Sequence, residues 1–137
     1  MNEKCYQIKN CKFSGQYKNV YKSAWQEYLK IKKRSKRTTY IRAAYFQRDK
    51  IFLNIFWTHL KQKYRFERRK RLIFYRCAIE VIRKTRIAPE SRQNPNNDDE
   101  ILHRFMGKVD ETYFAVQIKE NKRNNRKDFI SVFPWKK

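Results

Sequence analysis

Four side chains in the last third of the sequence have the chemistry that metal-independent RNA cleavage needs. They are His103, Tyr113, Lys119 and Ser131. In such a reaction a base takes the proton from the ribose 2'-hydroxyl, a cation stabilises the transition state, and an acid protonates the 5'-oxygen. Because imidazole titrates near neutral pH, we expect His103 to transfer protons, with Lys119 stabilising the developing charge. The hydroxyls of Ser131 and Tyr113 would position the scissile phosphate.

Three strand segments must bring these side chains together: residues 101–109, 112–120 and 127–134. The polar segments between them predict an antiparallel meander. Because successive side chains of a strand point to opposite faces, each segment divides into two sets. One set is expected to form the core against a helix: Leu102, Met106, Phe114, Val116, Ile118, Ile130 and Val132. The other is expected to form the functional face: His103, Phe105, Tyr113, Gln117, Lys119, Phe129, Ser131 and Phe133.

Other residues of this region are expected to bind RNA without taking part in the chemistry. Aromatic rings stack on bases splayed out of single-stranded RNA, so Phe105 and Phe133 are candidates, with Gln117 beside them. Arg104 falls on the core side by alternation and is proposed as a phosphate contact. The loop before the third strand adds four cations that would hold backbone phosphates. They are Lys122, Arg123, Arg126 and Lys127.

The positive charge is concentrated before the strands. Residues 1–87 contain 25 Lys and Arg against 5 Asp and Glu, whereas residues 88–137 contain 10 against 8, in a chain of net charge +22. A regional positive field attracts a polyanion in a salt-dependent way and carries no sequence information by itself. RNA is therefore the expected partner. A solvated basic face or an anionic membrane surface would also account for the charge.

Helical periodicity dominates the chain before the strands. Apolar side chains recur at helical spacing in residues 16–33, 39–64 and 67–84. The third segment has the broadest apolar face and is expected to cover the sheet. That stripe is made by Leu72, Tyr75, Ile79 and Ile82. Residues 1–16 are interpreted as a mobile leader, and residues 87–100, with two prolines, as a loop.

Helices followed by antiparallel strands are typical of the α+β class. We expect two parts, a basic helical arm over residues 1–66 and an α+β nuclease-like domain over residues 67–137.

The cysteines and histidines do not have the spacing of a metal site. Cys5, Cys11 and Cys77 form neither an even framework nor a ligand set, so no metal and no cofactor is expected. Cys77 is interpreted as a small core residue. No segment approaches the roughly 18 apolar residues of a transmembrane helix, and the N-terminus has no apolar signal core. A cytoplasmic location without a membrane partner is therefore expected.

The C-terminal part of the chain resembles a known group of nucleases. A helix precedes a small meander with HRFMG (103–107), YFAVQIKE (113–120) and SVFP (131–134). This arrangement, over about residues 68–135, resembles the phage and mobile-element branch of the barnase, EndoU, colicin and RelE-like ribonuclease fold. The resemblance implies a metal-independent endoribonuclease, often a toxin or phage-defence component, acting on tRNA, mRNA or ribosomal RNA. It also implies an antitoxin or immunity protein as a partner.

Within that resemblance, His103 and Ser131 carry over by position, and Lys119 and Tyr113 by their face. A second acid or base is missing from the predicted face, because Glu120 has the opposite parity from Lys119.

Two other functions fit the same features. A non-catalytic RNA-binding or ribosome-associated protein would use the sheet face to stack bases and the basic arm to follow phosphates. A DNA-binding accessory protein of a mobile element would place its helices in the major groove.

Overall fold

The computed structural model describes residues 5–136 and builds them from four helices and seven strands. The helices are α1 (Tyr17–Lys32), α2 (Asn54–Leu60), α3 (Arg65–Leu72) and α4 (Tyr75–Lys84). The strands are β1 (Tyr6–Ile8), β2 (Tyr40–Ala43), β3 (Asp49–Phe52), β4 (Glu90–Asn94), β5 (Asn97–Val109), β6 (Thr112–Asn121) and β7 (Lys127–Trp135). Over these residues no helix has both the length and the apolar character needed to cross a membrane. The predicted combination of helices and strands is confirmed, but its arrangement differs from the expectation.

All seven strands belong to one sheet. Its order is β1-β5-β6-β7-β3-β2, and β4 pairs with β5 on the edge that β1 also uses. The β1–β5 and β3–β7 pairs are parallel and the others are antiparallel. Thus β5, β6 and β7 are antiparallel neighbours, but the separate small meander predicted from the sequence is not matched, because they form the centre of a mixed sheet. The sheet takes strands from both sides of the predicted boundary at residue 66.

The predicted helix over residues 39–64 is wrong in its first half, which forms the hairpin of β2 and β3. Ile41 and Ile51 are buried partners across this hairpin. Its turn places Gln47 and Arg48 in the left-handed region, with φ of 55° and 69°. The apolar spacing here fits a period of two as well as a helical period, and the pairing of β3 with β7 stabilises the strand. Only the second half contains a helix, α2.

The predicted helix over residues 67–84 is divided into α3 and α4. The backbone leaves helical geometry at Phe74, where φ is −97° and ψ is 7°. The predicted apolar stripe is confirmed, since all four of its members are buried: Leu72, Tyr75, Ile79 and Ile82. Helix α4 contacts the edge strand β2 and the central strands β5 and β6, so it covers the sheet from that edge to its centre.

Two segments expected to be irregular contain strands. Residues 1–4 of the predicted mobile leader lie outside the described residues, whereas Tyr6–Ile8 forms β1 beside β5. In the predicted loop over residues 87–100, Glu90–Asn94 forms β4 and pairs with the first half of β5. Backbone hydrogen bonding across the sheet therefore orders polar residues that lack an apolar pattern.

The core lies on one face of the sheet, which we call the inner face. In β5 the side chains that point to this face are those predicted to point to the other one. The inner face carries His103, Phe105, Gly107, Val109, Phe114, Val116, Ile118, Phe129 and Val132. Leu102 and Met106, predicted as core, are half-buried on the outer face. For β6 the prediction is confirmed. The strand β5 carries large apolar side chains at both parities, so alternation alone does not orient it.

A disulfide joins Cys11 to Cys77. Cys77 is buried as predicted, but it is bonded rather than free, and it connects the segment before α1 to α4. Two hydrogen bonds hold the same segment: Phe13 N–H donates to the Ile73 carbonyl (3.0 Å), and Arg76 Nε donates to the Cys11 carbonyl (3.1 Å). Cys5 is a free thiol.

Candidate nucleic-acid interface

The outer face of the sheet carries six of the twelve residues predicted to form the site. Directly paired residues of neighbouring strands project to the same side of a sheet. One row of pairs crosses five strands: Leu102, Lys119, Asp128, Phe52 and Tyr40. The adjacent row contains Arg104, Gln117 and Ser131. Tyr113 and Phe133 lie further along this face. The predicted common face of Tyr113, Gln117, Lys119, Ser131 and Phe133 is therefore confirmed.

His103 lies on the inner face, away from Lys119 and Ser131, so the predicted grouping of these three side chains is wrong. Its imidazole is nearly enclosed, with the residue 8% exposed. Nδ1 lies 2.7 Å from Ser91 Oγ, and Nε2 lies 2.8 Å from Glu120 Oε1. Because His103 has the same parity as Phe105 and Val109, burial of those side chains turns the imidazole inward too.

A polar network continues from this imidazole through the inner face. Glu120 Oε2 lies 3.7 Å from Lys127 Nζ, which forms a second ion pair with Asp49 at 2.8 Å. The Lys127 ammonium also lies 5.1 Å from the centre of the Phe46 ring, which packs on His103. The buried Lys127 ammonium is therefore compensated by carboxylates, as a buried charge requires, and both ring nitrogens of His103 have polar partners.

Phe105, predicted to stack on RNA, is a core residue. It is 3% exposed, and its ring packs edge-on against Tyr45 and Phe46 at 5.6 and 5.8 Å. Phe129, predicted on the functional face, is fully buried and stacks on Phe56 at 4.8 Å. These two rings stabilise the fold and are enclosed away from solvent.

Arg104 and Lys119 on the outer face already have carboxylate partners. Arg104 pairs with Glu90 and lies over the Trp135 ring at 4.3 Å, and Lys119 pairs with Glu100 at 3.5 Å. Such pairing reduces the charge that these cations offer to a phosphate.

Arg71 approaches the outer face from α3. It donates a hydrogen bond to the Ser131 hydroxyl and lies 5.5 Å from the centre of the Phe133 ring. Burial lowers the pKa of the Arg71 guanidinium, and the charge of Glu67 partly opposes that shift.

Of the four cations predicted to hold phosphates, which lie in the loop before β7 and at its first residue, three have carboxylate partners. Arg123 pairs with Asp99 at 3.1 Å, and Arg126 with Asp128 at 3.3 Å. Lys127 is buried in the network around His103, and its side chain is 5% exposed. Lys122 is exposed.

A groove with excess positive charge lies where the hairpin of β2 and β3 meets this loop. Two adjoining cavities of about 590 and 460 Å³ share Lys50, Phe52 and Arg126 in their walls. We call the combined feature the basic groove. Its cations are Arg34, Lys36, Arg37, Arg42, Lys50 and Arg126, and its rings are Tyr40 and Phe52. Among residues 5–136, Asp49 is the single carboxylate in its walls, and it is paired with Lys127.

The cations of the basic groove are largely uncompensated. Among the described residues, only Arg126 of the six forms an ion pair with a carboxylate. Lys50 lies over the Tyr40 ring at 4.7 Å, and Arg126 lies over the Phe52 ring at 4.2 Å. These contacts hold the side chains at the surface without neutralising them. The groove can therefore bind an anion through several cations at once.

The groove residues of the β2–β3 hairpin were not predicted because residues 39–64 have helical apolar spacing, and Arg34, Lys36 and Arg37 precede that segment. The signal that could have identified them is the alternation of β2, where Tyr40 and Arg42 face outward and Ile41 and Ala43 are buried. The contribution of Arg126 depends on the parallel pairing of β3 with β7, which has no local sequence signal.

Comparison of the chain with models of protein families, with curated proteins and with solved structures finds no match.

Proposed function

We propose that the protein binds RNA and that the basic groove is its principal phosphate-binding surface. The observation that carries this proposal is the set of six cations with one carboxylate along a single groove. The phosphate backbone supplies most of the affinity of nucleic-acid-binding proteins, through release of counterions from the nucleic acid. The net charge of +22 would add long-range attraction.

Single-stranded RNA is the proposed ligand because aromatic rings accompany the cations. Tyr40 and Phe52 line the groove, and they continue the outer-face row that contains Lys119. Rings beside a track of cations can stack unpaired bases, which a duplex keeps within its own stack. Five of the residues expected to bind RNA would flank this path: Arg104, Gln117, Lys122, Arg123 and Arg126. Phe105 and Lys127 are enclosed in the fold and would not contact the ligand.

The salt dependence of RNA binding tests this proposal. If six cations each neutralise one phosphate of a single strand, the slope of log K against log salt is about −4, so affinity falls about 300-fold between 50 and 200 mM salt. Removal of two contacts should make that slope shallower by about 1.4. The measurement is fluorescence anisotropy with a labelled single-stranded RNA and the variant Arg37→Ala/Lys50→Ala.

A matched control removes the same charge elsewhere. Lys9 and Lys108 lie beside Glu80 and Asp110, in a cavity near the β1 edge of the sheet, at the other end of the strand order from β2. The variant Lys9→Ala/Lys108→Ala should keep the wild-type slope. Equal slopes for both double variants would contradict binding in the groove. Tighter binding to duplex DNA than to RNA would favour the DNA-binding alternative.

A second candidate function is metal-independent endoribonuclease activity, supported by the hydrogen-bonded chain of Ser91, His103 and Glu120. A carboxylate on one imidazole nitrogen and a hydroxyl on the other resemble the base and orienting group of acid–base sites. In this version of the ribonuclease hypothesis, Glu120 lies beside His103 where Lys119 and Ser131 were expected. RNA would approach the imidazole from the side of the exposed strand β4. The 2'-oxygen would lose its proton to the imidazole and form a bond to phosphorus while the P–O5' bond breaks, and the departing 5'-oxygen would take a proton from solvent water.

Cleavage of total RNA in the presence of EDTA tests this second function. Wild-type protein is expected to cleave, and His103→Ala, purified identically, is expected to be inactive. Glu120→Gln keeps the shape of the side chain and should reduce the rate without abolishing RNA binding. Absence of cleavage by the wild type, or equal cleavage by wild type and His103→Ala, would exclude it.

The biological setting follows from the ribonuclease proposal. If the resemblance to the barnase, EndoU, colicin and RelE-like fold extends to function, an active enzyme would be a toxin with an antitoxin or immunity protein as its partner. Expression in bacteria should then be toxic for the wild type and tolerated for His103→Ala.

We propose a cytoplasmic location because RNA is the proposed ligand. The alternative is an oxidising compartment, which the Cys11–Cys77 disulfide favours. Alkylation of thiols before cell lysis would distinguish these two locations.

A further inference from the structure

A second cavity, separate from the basic groove, lies among α1, α2 and α3. It has a volume of about 660 Å³, within the range of about 300–1,000 Å³ that is usual for small-molecule sites. Four of its lining residues are apolar or aromatic: Tyr17, Tyr21, Trp57 and Leu60. The other four are cations: Lys18, Lys61, Arg65 and Arg68. We call this cavity the aromatic pocket.

The aromatic wall of this pocket is held rigidly by helix packing. Tyr17 and Tyr21 are one helical turn apart on α1, with ring centres separated by 6.0 Å. The Tyr21 ring meets Trp57 of α2 edge-on at 5.8 Å, and Trp57 is fixed in turn by an edge-on contact with Trp25 at 4.9 Å. Rings held in this way offer a preformed surface to a flat ligand, with little entropy lost on binding.

The cations around the pocket are available to an anion. None of the four takes part in an ion pair with any carboxylate of residues 5–136, and no acidic residue lines the cavity. Arg68 is fixed by hydrogen bonds of 2.8 Å to the carbonyls of Lys61 and Lys63, and Arg65 lies 5.1 Å from the centre of the Tyr17 ring. A ligand with a planar ring and a negative group would satisfy both halves of the site.

We propose that the aromatic pocket binds one unpaired nucleobase together with its phosphate, as part of a single-stranded RNA. This inference rests on the proposed RNA-binding function and deepens it. Stacking of a base on Tyr17 and Tyr21 uses the ring faces, and every base has such a face, so the site tolerates different sequences. The cations hold the attached phosphate.

The aromatic pocket and the basic groove lie near opposite ends of α1. Tyr17 and Lys18 are in its first turn, whereas Arg34 follows its last residue, and a helix of 16 residues is about 24 Å long. Ligands as small as a mononucleotide or a trinucleotide therefore probe the pocket without needing the groove.

Calorimetric titration with three small ligands tests the proposal. Adenosine 5'-monophosphate has both a base and a phosphate, ribose 5-phosphate has only the phosphate, and adenosine has only the base. The mononucleotide should bind at least about fivefold more tightly than ribose 5-phosphate because of the stacked base, and more tightly than adenosine because of the phosphate. Equal binding of the mononucleotide and ribose 5-phosphate would overturn the proposal, because charge alone would explain it.

Variants locate the site, with neighbouring residues as controls. Tyr17→Ala should weaken mononucleotide binding about fivefold or more, and Lys18→Ala/Arg65→Ala, which changes exposed side chains only, should weaken it as well. The matched controls are Tyr64→Ala, at a ring that is 87% exposed outside the pocket lining, and Lys63→Ala. Unchanged binding in Lys18→Ala/Arg65→Ala, with its helical circular dichroism intact, would place the ligand elsewhere and refute the proposal.

Two further comparisons separate this inference from the proposed function. A trinucleotide that binds more tightly than the mononucleotide supports RNA as the source of the base, whereas equal affinity identifies a free nucleotide and overturns the RNA assignment. If Arg37→Ala/Lys50→Ala leaves the salt slope for long RNA unchanged while Tyr17→Ala weakens mononucleotide binding, the groove proposal fails and the pocket remains a nucleotide site.

Discussion

Reduction of the Cys11–Cys77 disulfide is expected to lower the free energy of unfolding by about 4 kcal/mol. The bond joins residues separated by 66 positions, and the chain-entropy cost of closing a loop of that length in the unfolded state gives this value at 25 °C. Domains of this size are stable by about 5–15 kcal/mol, so the loss is a large fraction of the total. Both sulfur atoms are buried, so reduction requires opening of the segment before α1.

The assay is guanidinium unfolding followed by tryptophan fluorescence, with and without a phosphine reductant. Cys5→Ala should behave as the wild type in both conditions, because Cys5 is the free thiol. Cys11→Ala/Cys77→Ala should have the lower stability in both. The m-value should rise on reduction, since the released unfolded chain exposes more surface. A decrease smaller than about 1 kcal/mol, or three alkylated cysteines in unreduced protein unfolded in urea, would refute the reasoning.

Gly107→Ala should destabilise the fold by about 2 kcal/mol, because a Cβ there would overlap the buried Phe114 ring. Adding Phe114→Leu should restore part of the lost stability, as measured by chemical denaturation. Tyr28→Phe, which loses a 3.0 Å hydrogen bond to Asn54, should destabilise the fold by about 1 kcal/mol. Burial raises the pKa of Tyr75, so the folded state keeps that proton after the unfolded state loses it. Stability should therefore fall as pH rises above 10, and fall less in Tyr75→Phe when denaturation is compared at pH 9 and 11.

Local patterns were sufficient for several elements. The spacing of apolar residues predicted α1 within one residue at each end, and the alternation after residue 100 predicted β5, β6 and β7. The apolar stripe on α3 and α4 was predicted from the same spacing, because an apolar helix face this broad must be covered by other elements. These features depend on neighbours a few positions apart, so they can be read from the chain itself.

The orientation of β5 required tertiary contacts. Leu102 and Met106 are as apolar as the residues of the other parity, so either face could have been buried. The Phe46 and Tyr45 rings of the β2–β3 turn cover Phe105 and His103, and they turn the imidazole inward to Glu120. The catalytic grouping expected from alternation failed for this reason.

Composition and short-range periodicity are sufficient to predict the charge of the chain, its apolar helices and its central strands. The positions at which charges and aromatic rings meet depend on long-range contacts. Arg126 lies beside Phe52 because β3 pairs with β7, and Tyr17 lies near Arg65 because α1 packs on α3. Each contact joins residues more than 40 positions apart, and the free energy that selects it comes from burial and pairing across the whole sheet.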